Sequence, residues 1–135
     1  FGFRLGGTGD ITATNRLWKV TKRNPQRIGS GGIVNQHLYS PTAGPNGIEC
    51  LDLRTGETRW SARTGSAPFW GSMVVADELL YVTDQSGTTF VISPNPEKLE
   101  IVAENKLGEP SNSTPAFVEE KIYLRTQAAL YQIAE

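Results

Sequence analysis

The fold is decided by residues 30–60, which read SGGIVNQHLYSPTAGPNGIECLDLRTGETRW. This stretch is one unit of an internal repeat, because Tyr39, Tyr81 and Tyr123 lie 42 residues apart and each follows Leu or Ile. Two further sets of residues keep the same spacing: Ser30, Ser72 and Thr114, and Ile33, Val75 and Phe117. The chain therefore contains successive copies of one structural unit.

Short extended segments separated by turn residues fill each unit. Clusters of β-branched and aromatic residues, without a sustained 3.6-residue apolar rhythm, predict strands and almost no helix. In the first unit, turns at Asn35-Gln36, Asn46-Gly47 and Arg54-Thr55-Gly56 separate four strands. The predicted strands are 28–34, 37–42, 48–53 and 57–63 in the first unit, 71–76, 79–83, 88–93 and 99–105 in the second, 114–118, 121–126 and 130–134 in the third, and 3–5 and 12–21 ahead of the first.

A period in the low forties with four short antiparallel strands is typical of the blades of a β-propeller. We predict an all-β fold, a partial propeller of about three four-stranded antiparallel blades in one domain over residues 1–135. The predicted parts are the end of a preceding blade at 1–26, blades at 27–64 and 68–107, and an incomplete last blade at 111–135. A closed ring of 4 to 8 blades at ~42 residues each needs roughly 170 to 340 residues, so we expect the C-terminal part of a longer protein.

Composition argues against several classes of function. The 13 Lys and Arg against 14 Asp and Glu give a net charge of −1, and no basic window predicts a nucleic-acid partner. Cys50 is the one cysteine, which excludes an intrachain disulfide and a cysteine-rich zinc site. No apolar run reaches the ~18 residues of a membrane-spanning helix, so we expect no transmembrane segment. No residue set predicts a catalytic or metal site.

The most specific local pattern is Cys50-x-Asp52-x-x-x-Gly56-x-x-x-Trp60. Asp52 can accept hydrogen bonds from the amides of the turn that follows it, and Gly56 permits a positive φ. Trp60 then lies on the outer strand, where its ring can bury on the order of 150 to 250 Å² against a neighbouring blade. Trp18 lies 42 residues earlier. We predict that these residues dock one blade onto the next.

This pattern resembles the tryptophan-docking motif of pyrroloquinoline quinone (PQQ) repeat propellers, in which Ala, Asp, Thr-Gly and Trp stand at these intervals. Cys50 replaces the small Ala. The resemblance covers residues 11–135 and its copies differ, because the spacing places Val102 at the position of Trp60 in the second unit. The third unit ends before that position is reached.

The resemblance implies two alternatives. Non-catalytic propellers with this repeat, such as the BamB-type lipoprotein that assists outer-membrane barrel assembly, use the ring as a rigid platform for protein partners. Quinoprotein dehydrogenases hold PQQ over the propeller axis with adjacent cysteines, a stacking Trp and Ca²⁺ bound by acidic and amide side chains. This chain has no adjacent cysteines. We therefore favour the binding platform over the enzyme. PQQ with Ca²⁺ is expected only in a full-length enzyme. The resemblance also implies that the protein is located in the periplasm, in the cell envelope or outside the cell.

A candidate surface for a partner or ligand precedes the inner strands. Arg27, Trp70 and Asn112 lie just ahead of these strands, where the loops of a propeller surround its axis. Trp70 does not share the repeat phase of Trp18 and Trp60, so docking between blades does not explain it. The alternative is that Trp70 fills space between inner strands.

The unequal ends of the repeat predict self-association. Residues 12–21 supply a spare outer strand, whereas the last unit lacks one. Because unpaired strand edges attract further strands, we expect two copies to associate through open blade edges. They can do so by edge pairing or by lending residues 12–21 across the gap.

Overall fold

The described chain folds into four antiparallel sheets that follow one another along the sequence. The structure, a computed structural model, describes residues 1–21, 28–43, 46–65 and 67–134. In each sheet the strands that are consecutive in the chain pair with one another, as short turns require of antiparallel neighbours. The predicted all-β, partial-propeller fold is confirmed.

Each sheet is a complete or partial blade. The leading half-blade contains β1 (Gly2–Phe3), a short helix α1 (Thr12–Asn15) and β2 (Arg16–Trp18). Blade 1 contains β3 (Gly32–Val34), β4 (His37–Ala43), β5 (Asn46–Asp52) and β6 (Thr58–Arg63). Blade 2 contains β7 (Val74–Ala76), β8 (Leu79–Thr83), β9 (Thr88–Ile92) and β10 (Ile101–Lys106). Blade 3 contains β11 (Ala116–Val118), β12 (Lys121–Arg125) and β13 (Leu130–Ile133).

The first hairpin of each blade turns through the left-handed region of φ. Asn35 and Gln36 have φ values of 47° and 62°, and Asp77 and Glu78 have 46° and 63°. Two residues of positive φ match the twist of the flanking strands. The predicted turns between the first two strands are therefore confirmed, although the inner strands begin later than predicted.

The main buried core lies between blade 1 and blade 2. Both sheets contribute fully buried apolar side chains, because alternate residues of each strand face the neighbouring sheet. Partly buried Val34, Trp60 and Leu99 pack around this core. The buried members are Tyr39, Ile48, Cys50, Phe69, Met73, Leu80, Val82, Phe90 and Ile92.

The prediction of a strand over residues 12–21 is wrong for its first four residues. Residues 12–15 form α1, and only Arg16–Trp18 pair as a strand. Asp10 Oδ1 accepts a hydrogen bond from the amide of Thr12 at 2.9 Å, which favours the helical turn. Asn15 Nδ2 donates to the carbonyls of Arg4 and Gly6, at 3.1 and 2.7 Å. These hydrogen bonds stabilise the helical turn despite the β-branched residues of the segment.

The prediction of a tight turn at Asn46-Gly47 is also wrong. Both residues belong to β5, where Asn46 pairs with Ala43 and Gly47 with Thr42. The connection between β4 and β5 falls on residues 44–45, which lie outside the described residues. Cross-strand pairing therefore extends further along β4 and β5 than the local Asn-Gly signal indicates.

The register of the fourth strand corrects the equivalence of Val102 with Trp60. Cys50 pairs with Trp60 in blade 1, and the equivalent residue of blade 2, Val91, pairs with Ala103. Val102 is the bulged residue, skipped by the pairing. The loop between β9 and β10, residues 93–100, is longer than the loop between β5 and β6, residues 53–57. This insertion changes the spacing, so counting 42 positions identifies the wrong residue.

Candidate functional site

The side chain of Trp60 joins blade 1 to blade 2. Its indole Nε1 donates a hydrogen bond to the carbonyl of Asn95 at 2.8 Å, in the loop between β9 and β10. Its ring lies 6.1 Å from the ring of Tyr39, centre to centre, with the two planes tilted by 52°. The ring packs against the buried core while its one polar group is satisfied.

Trp18 makes the same contact one blade earlier. Its Nε1 donates to the carbonyl of Leu53 at 2.7 Å, in the loop between β5 and β6. A β-carbon on Gly56 would lie 2.5 Å from Cδ2 of this indole. Gly56 also has a φ of 73°, so glycine is required both for the turn and for the approach of the ring.

Asp52 organises the turn on which Trp18 packs. Its Oδ1 accepts from the amides of Arg54 and Thr55, at 2.8 and 3.2 Å. The hydrogen bond from the Arg54 amide is the main reason that the pKa of the Asp52 carboxyl lies below its usual value. The guanidinium of Arg54 is 4.0 Å away and largely exposed, so this ion pair contributes little.

Cys50 pairs with Trp60 across strands β5 and β6 and is fully buried. Burial raises the pKa of its thiol and, together with the neighbouring Cys50, the pKa of the Tyr39 hydroxyl. A buried thiol with a raised pKa is a poor nucleophile. Cys50 is therefore placed for packing.

A second contact between blades repeats near the inner strands. The amide of Ser30 donates to Oγ of Ser72 at 2.9 Å, and the amide of Ser72 donates to Oγ1 of Thr114 at 2.8 Å. Each hydrogen bond spans one repeat, so blades 2 and 3 each offer a hydroxyl to the blade before them. Sequence reasoning found this spacing but not its role. The signal was a hydroxyl-bearing residue in all three copies.

The structure places Trp70 and Asn112 on the surface ahead of adjacent inner strands. Trp70 is 46% exposed, and Asn112 is exposed. The Trp70 segment lies against the start of blade 3, because a β-carbon on Gly71 would collide with the carbonyl of Ser113. Arg27, the third member of the predicted surface, lies outside the described residues.

Gln85 belongs to this surface, and sequence reasoning missed it. Its Nε2 donates to Oδ1 of Asn112 at 2.9 Å, and its backbone amide donates to the carbonyl of Pro68. The loop between β8 and β9 is thereby held beside the Trp70 segment. We call Trp70, Gln85 and Asn112 the loop surface. It combines an exposed indole with two side-chain amides and carries no charged group of its own.

The interface between blade 2 and blade 3 has different contacts. Tyr81 and Phe117 pack with ring centres 4.7 Å apart. Glu109 joins the connecting segment to blade 3, because its carboxylate accepts from Thr126 Oγ1 at 2.6 Å and from the Tyr131 hydroxyl at 2.8 Å. These hydrogen bonds, that from Thr126 first, hold the pKa of the Glu109 carboxyl below its usual value.

The described carboxylates do not fit a Ca²⁺ site of the kind that accompanies PQQ. No group of three or more His, Cys, Asp or Glu in the described ranges is placed to hold a metal ion. Asp52, Asp84 and Glu109 accept hydrogen bonds from turn amides or hydroxyls.

No helix in the part that the structure describes is both long and apolar enough to cross a membrane.

Comparison with known proteins supports the propeller fold. No protein-family model and no curated protein sequence matches the chain. The crystal structure of BamB from Moraxella catarrhalis matches with a TM-score of 0.60 and 17% identity, covering 79% of this chain and 33% of that chain. A europium-containing methanol dehydrogenase matches with a TM-score of 0.61 and 18% identity, covering 81% and 22%. The chain thus spans a third or less of these proteins and shares with them the fold of a PQQ-like β-propeller.

Proposed function

We propose that this chain is part of a larger propeller that acts as a rigid protein-binding platform in the cell envelope. The exposed indole of Trp70 carries the proposal. Aromatic side chains beside hydrogen-bonding groups are enriched at protein interfaces, and the amides of Gln85 and Asn112 supply such groups. Arg27 extends the surface in this proposal, as its repeat phase predicts.

Residues Cys50, Asp52, Gly56, Trp60 and Trp18 act in this proposal as the tryptophan-docking motif of PQQ-repeat propellers. Two hydrogen bonds support the assignment, because each indole donates to the corresponding loop of the following blade. On the same grounds, residues 1–135 form one domain. The docking contacts between blades make the propeller rigid. Binding therefore takes place on loops that a rigid scaffold holds in position.

Site-specific photo-cross-linking tests the binding surface. A benzoylphenylalanine placed at Trp70 is exposed to a bacterial cell-envelope extract, and the same residue at Glu78 serves as the control. Glu78 is exposed in the first hairpin, at the opposite end of blade 2. We expect protein adducts at position 70 in clear excess over position 78. Equal yields at the two positions would contradict the proposal.

The alternative function is a portion of a PQQ-dependent dehydrogenase. The match to the methanol dehydrogenase supports this alternative, because its TM-score and sequence identity are as high as those of the match to BamB. Addition of PQQ with Ca²⁺, followed by absorbance and by dye-linked oxidation of alcohols and sugars, separates the two functions. A binding platform gives no PQQ spectrum and no dye reduction.

We also propose that copies of this chain associate through their open blade edges. Exposed apolar residues on the outer strands support this, among them Leu130 at 69% and Val102 at 52% exposure. Light scattering over a range of protein concentrations measures the association. A mass that stays at one chain throughout would contradict it.

A further inference from the structure

Ile28, Trp70 and Asn112 hold equivalent positions ahead of the inner strands of three successive blades, 42 residues apart in the sequence. The segments that carry Ile28 and Trp70 run side by side, because the amide of Met73 donates to the carbonyl of Ser30 at 2.9 Å. Ile28 is 68% exposed and Trp70 is 46% exposed. Two apolar side chains of adjacent blades therefore face solvent at this end of the molecule.

The backbone of Gln85 fixes its loop between the segments on either side. Its N–H donates to the carbonyl of Pro68 at 2.8 Å, and its carbonyl accepts from the amide of Ser111 at 3.3 Å. Pro68 stands two residues before Trp70, and Ser111 directly precedes Asn112. The side-chain amides of Gln85 and Asn112 are thus held beside the Trp70 segment.

The two side-chain amides are joined so that one polar group of each is left over. Gln85 Nε2 donates to Asn112 Oδ1 at 2.9 Å. Within the described ranges, nothing is hydrogen bonded to Gln85 Oε1 or Asn112 Nδ2, and nothing accepts from Trp70 Nε1. A free C=O and a free N–H held close together complement one peptide group, which has one N–H and one C=O.

Charged residues are absent from the segments that build this surface. Residues 64–76, 85–96 and 110–118 contain no Asp, Glu, Lys, Arg or His, although 20% of the chain is Asp, Glu, Lys or Arg. The carboxylates of the flanking Asp84 and Glu109 accept hydrogen bonds within the chain. A charge on a partner would lose its hydration here without gaining a counter-charge. The surface therefore favours an uncharged partner.

We propose that the partner presents an extended, uncharged peptide segment to the loop surface. An apolar side chain of the segment covers Trp70 and Ile28. One of its peptide groups pairs with Gln85 Oε1 and Asn112 Nδ2. An extended segment fits because its N–H and C=O groups are free to bind, whereas a helix uses them internally.

This inference rests on the proposed protein-binding platform and adds the chemistry of the partner. A neutral oligosaccharide is the other uncharged ligand with hydrogen-bonding groups. The exposed aliphatic side chain of Ile28 beside the indole favours the peptide, because covering it with sugar hydroxyls removes water from both without burying apolar surface on the ligand.

Peptide selection tests the chemistry of the segment. The chain is used to select from a phage-displayed library of random peptides about 12 residues long, after depletion of the library on the Trp70→Ala chain. We expect the enriched peptides to carry large apolar residues and to lack Asp, Glu, Lys and Arg beside them. Enrichment of charged peptides would overturn the inference.

Backbone N-methylation of an enriched peptide tests the pairing with the side-chain amides. Removal of the N–H that donates to Gln85 should weaken binding to the unmodified chain about tenfold, as measured by titration calorimetry. The same methylation should have no further effect on binding to the Gln85→Met chain, which lacks the acceptor. The matched control is Asn105→Met, because Asn105 is exposed on the outer strand β10, and this chain should keep the effect of methylation.

The outcomes separate this inference from the platform on which it rests. Uncharged enriched peptides, with an effect of methylation that depends on Gln85, support the inference. Equal effects of methylation on the unmodified and Gln85→Met chains overturn it, as does binding of maltohexaose with no peptide enriched. In either case, protein adducts at position 70 in the cross-linking experiment leave the platform intact. Equal cross-linking at positions 70 and 78 overturns both.

Discussion

The outer strand of blade 1 carries Trp60 at its interface with blade 2, whereas the outer strand of blade 2 carries Ala103 at the equivalent register position. At the first, Trp60 packs beside Tyr39 and donates to the carbonyl of Asn95. At the second, Ala103 occupies the register position of Trp60, and Tyr81 packs on Phe117 instead. Neighbouring blades of the same sheet geometry are thus joined either by an indole from the outer strand or by an aromatic pair that includes a residue of the inner strand.

The two interfaces share their hydroxyl contacts. The hydrogen bond from Ser30 to Ser72 crosses the first interface, and that from Ser72 to Thr114 crosses the second. The buried apolar core belongs to the first interface. We therefore expect the first to contribute more stability, with the hydroxyl contacts contributing equally to both.

The largest effect is expected from Trp60→Ala. Loss of the ring and of its hydrogen bond should lower the free energy of unfolding by about 3 kcal/mol, within the range for large-to-small substitutions at aromatic residues. Urea unfolding measures the change. The control is Trp60→Phe, which keeps an aromatic ring but loses the hydrogen bond to Asn95, and it should cost about 1 kcal/mol. A loss below about 1 kcal/mol for Trp60→Ala would remove the contrast between the interfaces.

A smaller loss is expected from Phe117→Ala at the second interface. The ring is only partly buried and has no polar group, so the expected loss is about 2 kcal/mol. Phe117→Leu keeps most of the apolar volume and should lose about half as much. The same urea experiment measures both variants. A loss of unfolding free energy as large as that of Trp60→Ala would show that the aromatic pair stabilises its interface as much as the indole stabilises the first.

The hydroxyl contacts should have equal and modest effects. Ser72→Ala removes the acceptor for the Ser30 amide, and Thr114→Val removes the acceptor for the Ser72 amide. Each should lower the free energy of unfolding by about 1 kcal/mol. Ser61→Ala is the control, because Ser61 is exposed on β6, and it should change stability little. Clearly unequal losses would show that the contact depends on the interface around it.

The smallest effect is the pH dependence contributed by Glu109. Its pKa is lowered in the folded chain, chiefly by the hydrogen bond from Thr126, so its contribution to stability is present above the unfolded pKa. That contribution is lost as the pH falls through the lower, folded value. The unmodified chain should therefore lose more stability than Glu109→Gln between pH 6 and pH 3. Thermal unfolding at both pH values measures this, and parallel losses would contradict it.

Much of the fold could be predicted from the sequence because its signals are local. Strand and turn chemistry recur in each unit, and Asn35-Gln36 and Asp77-Glu78 form the turns that the pattern indicates. The helix at residues 12–15 could not be predicted in this way. Its hydrogen bonds reach back to Arg4 and Gly6, which the composition of residues 12–21 does not show.

The candidate surface was only partly predictable. The repeat phase identified Trp70 and Asn112, since equivalent positions of a repeat lie at equivalent places in the fold. Gln85 cannot be found in this way, because it lies in another loop, 27 residues from Asn112, and only the packing of blade 2 against blade 3 brings the two together.

The sequence by itself determined that this protein is an array of similar β-sheet units, because residues at a spacing of 42 encode the same strands and turns in each copy. Only the tertiary structure decided that Ala103, and not Val102, corresponds to Trp60. It also decided which carbonyl each indole reaches. The physical reason is that loop length and a β-bulge shift the register of paired strands without altering the local pattern of either strand.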